Sequence, residues 1–201
     1  KTLDFSKSIN VNHTVPEVLK KSSELIKVLK TKEPKDIASL MGLSDKLAVL
    51  NFDRYQRWNS SKTLSSESKP SLFVFQGDVY SGLKAEEFSK HEVAFAQKHL
   101  RILSGLYGVL RPLDVMKPYR LEMGTKLNID NAKNLYEFWG DDLKNKILDE
   151  LLNQRSDLLI NLASVEYFKS LGKMPEHVTT VSPIFKDQKN GTYKIISFYA
   201  K

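Results

Sequence analysis

Residues 100–124, LRILSGLYGVLRPLDVMKPYRLEMG, stand apart from the rest of the chain. The stretch begins as the end of an amphipathic helix and then loses both the helical and the strand period. Gly105 and Gly108 free the backbone, while Pro112 and Pro118 fix φ and remove amide donors. The composition is nevertheless that of a core: Leu106, Tyr107, Val109, Leu110, Met116, Tyr119, Leu121 and Met123 run through it. Arg101, Arg111, Asp114, Lys117, Arg120 and Glu122 sit inside that apolar background. A packed segment with unpatterned charge breaks local rules, as functional or strained sites do. Two readings stay open: a site, or a buried connection whose Arg–Asp and Arg–Glu pairs are structural.

Working outward, 201 residues hold a substantial core, and 41% hydrophobic with 27% charged residues is ordinary for a globular protein. No apolar run is long enough to span a membrane, and no signal peptide is visible. The absence of cysteine excludes disulfides and thiolate chemistry and fits a reducing cytoplasm. A net charge of +7 favours polyanionic partners, nucleic acid first, although many basic proteins are simply soluble. The chain starts at Lys1-Thr2-Leu3-Asp4 and ends just after an apolar strand-like run, the pattern expected of the ordered part of a longer protein.

Toward the N-terminus, Pro16-Glu17 opens an expected helix over residues 15–30. Residues 35–50 read as a helix, a tight hairpin and a second helix, with Gly42 closing the first and Ser44 capping the second. An aromatic and basic stretch at 51–59 and a Ser-rich loop at 60–70 follow. Residues 72–75 suggest a short buried strand, 76–82 a Gly-bounded turn, and 84–103 one long helix with Phe88, Val93, Phe95 and Ala96 in the core. Toward the C-terminus, a helix is expected at about 141–154, and Leu158–Ala163 reads as a strand buried on both faces. Ser164 caps a helix over 165–171, and strands over 178–181 and 193–199 are separated by the Asn190-Gly191 turn. The expected architecture is mixed α/β (α+β): one compact domain over 1–201, with several short strands, surrounding helices and a helix-hairpin-helix element.

Few chemical motifs appear. His13, His91, His99 and His177 are scattered, and no spacing suits zinc or di-iron chelation, so no metal or other cofactor is expected. Neither a P-loop nor a dinucleotide fingerprint is present. A hairpin-linked helix pair offers amide donors and a positive helix end to a phosphate without reading bases. Lys46 lies one turn into the second helix, with Arg54 and Arg57 nearby. Asp78 and Asn161, Ser164 and Glu166 follow strand-like runs, where α/β sheets place ligands, and Asp114 and Glu122 join them in a possible polar pocket.

Taken together, KTLDF at 1–5, SDKLA at 44–48, FQGDVYSGL at 75–83, LSGLYGVLRPLDVMKPYRLEMG at 103–124, LYEFWGD at 135–141, INLASVEYFKS at 160–170 and KIISFYAK at 194–201 resemble the peroxide-stress protein YaaA family, essentially end to end. The resemblance implies a bacterial cytoplasmic protein that protects against hydrogen peroxide, is linked to lowering iron-driven damage, and binds DNA. It also implies a positively charged cleft and a helix-hairpin-helix element. The element maps onto Gly42, Leu43, Ser44 and Lys46, and the cleft onto Lys1, Arg101, Arg111, Lys117 and Arg120. Family members begin a few residues earlier and extend some tens of residues past Lys201.

The first expectation is thus a monomeric protein that contacts double-stranded or branched DNA through phosphates, without sequence preference and without catalysis. The alternative is an enzyme acting on a nucleotide, a damaged base or a DNA end through the charged central block. Direct iron storage would need a ligand cluster that the sequence lacks.

Overall fold

The computed structural model describes residues 2–6, 11–60, 64–189 and 191–195. The amphipathic helix α1, Leu19–Lys30, buries Ser22, Leu25, Ile26 and Leu29 and turns its lysines outward. It starts four residues later than the Pro16-Glu17 signal suggests. Tertiary partners hold the preceding segment instead: Thr14 exchanges backbone hydrogen bonds with Leu113 and Val115, and the Val15 carbonyl accepts from Arg111 Nη2.

Helix α2, Pro34–Met41, ends at Gly42, whose φ of +61° is the left-handed cap conformation that glycine adopts without strain. Ser44 then precedes α3, Asp45–Arg57, which continues through most of the aromatic and basic stretch. Ala48, Asn51 and Tyr55 form its buried face against α1 and α2. The Asn51 side chain is satisfied by the Leu47 carbonyl at 2.8 Å, as a buried amide requires.

Among the described residues the strands form five two-stranded pairs. β1, Thr2–Leu3, is antiparallel to β3, Phe75–Gln76, and β2, Lys69–Pro70, to β6, Val115–Met116. β4, Ile102–Ser104, and β5, Gly108–Leu110, form a hairpin inside the central block. Gly105 is required there because a Cβ would lie 2.3 Å from the Leu121 carbonyl oxygen. β7, Leu158–Ile160, is parallel to β8, Thr179–Val181, and β9, Asp187–Lys189, is antiparallel to β10, Thr192–Lys194. Asn190 and residues 196–199 of the last expected strand lie outside the described residues.

The remaining helices are α4, Asp78–Leu83; α5, Lys90–His99; α6, Leu135–Trp139; α7, Asp142–Asn153; and α8, Val165–Phe168. The core runs from Leu25, Leu29, Ile37 and Tyr55 through Leu106, Leu110, Leu121 and Met123 to Trp139 and Leu143. The central block is therefore interior wall, with helices packed around it.

Four expectations are corrected. Residues 72–75 are chiefly a 3-10 turn, Ser71–Phe73, because Ser71 and Leu72 donate to the Asp114 and Pro112 carbonyls. Residues 76–82 continue into α4 rather than remaining a turn. The long helix over 84–103 is broken: Lys84 has φ +49°, a 3-10 turn occupies Ala85–Glu87, and Ser89 and Glu92 form a capping box that starts α5. Phe95 consequently stands 63% exposed. Finally, β7 is not buried on both faces, since Leu158 and Ile160 are 46% and 56% exposed while Leu159 packs toward the core.

Candidate functional site

A buried aromatic and hydroxyl network supports the middle of the central block. Trp58 Nε1 and the Lys117 amide both donate to the Tyr107 hydroxyl at 2.9 Å. Ser104 Oγ accepts from the Tyr107 amide at 2.9 Å and shares a 2.6 Å hydrogen bond with the Tyr119 hydroxyl. Burial pushes the Tyr107 hydroxyl up to about 12, although the donors from Lys117 and Trp58 oppose that rise. Burial raises Tyr119 further in the same direction. These phenols stay neutral and act as rigid supports.

Around this support the basic residues divide into two groups. The first follows α3 into the residues beneath its end. Lys46, Leu50, Asp53 and Arg57 lie three or four residues apart, share one helical stripe, and are all exposed. At the far end of α3, Arg54 Nη1 donates to Asn51 Oδ1 at 3.3 Å, and burial lowers the Arg54 pKa without discharging it. Lys117 Nζ donates to Asn59 Oδ1 at 2.8 Å. The Tyr55 hydroxyl donates to the Arg120 carbonyl, tying α3 to the central block. Arg57 faces Glu67 at 3.5 Å, Arg120 pairs with Glu122 at 3.0 Å, and the buried Arg120 Nε has no acceptor among the described residues.

The second group is an open chain of alternating charge. Arg111 meets Asp114 at 2.9 Å and Glu17 at 3.2 Å, Glu17 meets Lys146 at 2.6 Å, Lys146 meets Glu150 at 3.2 Å, and Glu150 meets Arg101 at 2.6 Å. Asp114, 1% exposed, also accepts from the Arg111 amide at 2.7 Å and Thr14 Oγ1 at 2.7 Å. Burial opposes charge at Arg111 and Glu150. Their partners win: Asp114, Glu17 and Glu150 raise Arg111, while Arg101 and Lys146 lower Glu150. Arg101 and Arg111 thus belong to one network, Arg111 held chiefly by Asp114 and Glu17, and Arg101 by Glu150 through Nη2 and by the Gln97 and Leu100 carbonyls through Nη1.

The acidic and polar residues do not gather into one pocket. Asp114 ends the charge chain, and Glu122 pairs with Arg120. Glu166 Oε1 accepts from the Gly124 amide at 2.8 Å, and its carbonyl accepts from the Tyr136 hydroxyl at 3.0 Å. Asn161 ends β7 and donates to Ser182 Oγ at 3.1 Å, while Ser164 is the exposed residue before α8. Asp78 is the first residue of α4, and Lys1 lies outside the described residues. A shallow depression elsewhere, lined by Ile129, Asp130, Asn131, Ala132, Glu137 and Phe138, contains none of them.

At the hairpin, Gly42, Leu43 and Ser44 join α2 to α3, and the first amides of α3 lack intrahelical acceptors. The Ser44 hydroxyl makes no capping hydrogen bond, and Asp45 already places an acidic group in the first turn. Among the described residues, no group of three or more His, Cys, Asp or Glu is placed to hold a metal ion, and no helix is long and apolar enough to cross a membrane.

Sequence reasoning missed Glu17, Glu150 and the Gln97 carbonyl as partners of the central arginines, Lys146 as the cation between the two glutamates, and Thr14 as a donor to Asp114. The one legible trace was the helical i,i+4 spacing of Lys146 and Glu150. Glu17 had no signal, because its partners lie across the fold.

Comparison with known proteins agrees with the resemblance. A family model described as peroxide stress protein YaaA matches residues 1–201. A UPF0246 protein of Shewanella amazonensis is 53% identical over 202 residues, covering 100% of this chain and 78% of that protein. A UPF0246 protein of Aliivibrio fischeri is 52% identical with the same coverage, and one of Marinomonas sp. is 51% identical over 100% of this chain and 76% of its own length.

Proposed function

The chain belongs to the peroxide stress protein YaaA family, and from that premise we propose that it binds duplex or branched DNA through phosphates, protecting it from iron-linked oxidative damage in the bacterial cytoplasm. The observation that carries this reading is the set of basic side chains spaced along α3 and beneath its C-terminal end. They are Lys46, Arg54, Arg57, Lys117 and Arg120, of which Arg54 and Lys117 meet neutral amides rather than carboxylates. The Arg57–Glu67 and Arg120–Glu122 pairs are solvent-reachable, so a phosphate can displace the carboxylate at small cost. The hairpin at Gly42–Leu43–Ser44 adds amides at the N-terminal end of the same helix, in the manner of a helix-hairpin-helix element.

No base-reading chemistry is needed for this role, because phosphate contacts fix position without sequence information. The carboxylates of the central block do not require an enzymatic explanation. Asp114 and Glu122 each accept from an arginine, which gives them a structural reason to be present.

Fluorescence anisotropy of labelled duplex, bubble and junction DNA tests the reading. Five phosphate contacts predict a log–log salt slope of about −4.5, hence roughly 500-fold weaker binding at 200 mM than at 50 mM salt. Failure to bind any of the three DNAs at low salt overturns it.

A further inference from the structure

Fifteen large hydrophobic side chains stand exposed among the described residues, and nine of them lie between Leu158 and Ile195. They are not scattered. Alternation puts Leu158 and Ile160 on one face of β7, and the parallel register sets Val181 of β8 beside Ile160 on that face. At the C-terminal end of the strand pair the chain continues into Leu162 on one side and Ile184 and Phe185 on the other, 63%, 68% and 57% exposed. A parallel pair alone with one bare face is physically anomalous, since parallel strands occur in sheets covered on both faces and two strands are marginal in water. Among the described residues, the outer edges of β7 and β8 also lack strand partners.

The occupant has a defined source. The Shewanella and Aliivibrio relatives match this chain over only 78% of their length, so about a fifth of each protein lies outside the match. That is enough for several strands of ordinary length. We propose that the β7–β8 face is the seat of this additional family polypeptide, which adds strands to the open edges and buries Leu158, Ile160, Val181 and Phe185. Strand addition supplies the binding mode: main-chain hydrogen bonds give affinity, and the alternate apolar side chains set the register. A second copy of the chain is the rival occupant, because exposed edges also template self-pairing.

The test supplies the part of the Aliivibrio relative outside the match as a separate polypeptide to the 201-residue chain. The expected result is saturable binding, hydrogen-exchange protection gained at residues 158–162 and 179–182, and a fall in bound hydrophobic dye. Ile160→Asp should weaken binding roughly tenfold or more, with circular dichroism unchanged because the side chain is already at the surface. Val165→Asp provides a second variant at an 87% exposed position. Lys46→Ala should leave the docking untouched, so the outcome is separable from DNA binding. Absence of binding, protection gained elsewhere, or self-association of the chain through residues 158–181 would each overturn the proposal.

Discussion

The charge chain around Arg101 and Arg111 and the strip along α3 are both rich in arginine and both rest on the central block, yet their partners differ. The chain alternates three cations with three carboxylates from Asp114 to Arg101, with Asp114 buried at 1% exposure. The strip places Arg54 and Lys117 against Asn51 and Asn59 and leaves Lys46 in solvent. An arginine surrounded by acid serves the fold; one held by neutral amides keeps its charge available to an anion. Partners, rather than residue type, separate the two roles.

The largest expected effect lies in the charge chain. Asp114→Ala removes a buried carboxylate that accepts from Arg111 and Thr14, at a cost of about 3 kcal/mol. For a chain of this size that is a fall of roughly 6–12 °C in Tm, read by calorimetry. An unchanged Tm, or a selective loss of DNA binding, would break the comparison. The strip should answer in the opposite way. Removing Arg57 and Lys117 together should reduce the salt slope of DNA binding by about 1.8, while stability moves by no more than about 0.5 kcal/mol. Arg101→Ala provides the converse, with lower stability and the same salt slope in the folded fraction.

The smallest effect sharpens the picture through pH. Glu150 has its folded pKa depressed below the ordinary carboxylate value by Arg101 and Lys146, against the opposing effect of burial. Its unfolded form therefore binds the proton first on acidification. The stability it confers is complete above the unfolded pKa and is lost as pH falls through the folded value. Thermal melts between about pH 6 and pH 3 should show the wild type losing its advantage over Glu150→Gln as the acid range is entered. A constant difference across that range would show that the charge chain does not act through Glu150 charge.

Much of the local structure was legible. The amphipathic spacing of α1, Gly42 as a left-handed stop, and Asp141 and Asp142 opening α7 are local signals that act within a few residues. The burial of Leu106, Tyr107, Leu121 and Met123 also followed from composition alone. The β4–β5 hairpin did not, because its strands are three residues long and buried throughout β5, so no alternation survives. The break before α5 was obscured by continuous helical composition. It becomes legible only when the Ser89–Glu92 capping box is given more weight than hydrophobic period. At the candidate site, most of the basic residues were nameable from sequence, Lys146 excepted, but their division into charge chain and strip was not.

Sequence alone specified the α1 spacing, the Gly42 stop and the burial of the central block, because backbone propensity and amphipathic period are set by residues a few positions apart. It also determined the family and the surplus of positive charge. Only the tertiary structure decided which charges remain available. Glu17 reaches Arg111 and Glu150 reaches Arg101 across 94 and 49 positions of chain, and a Coulombic pair depends on separation in space, not along the polypeptide.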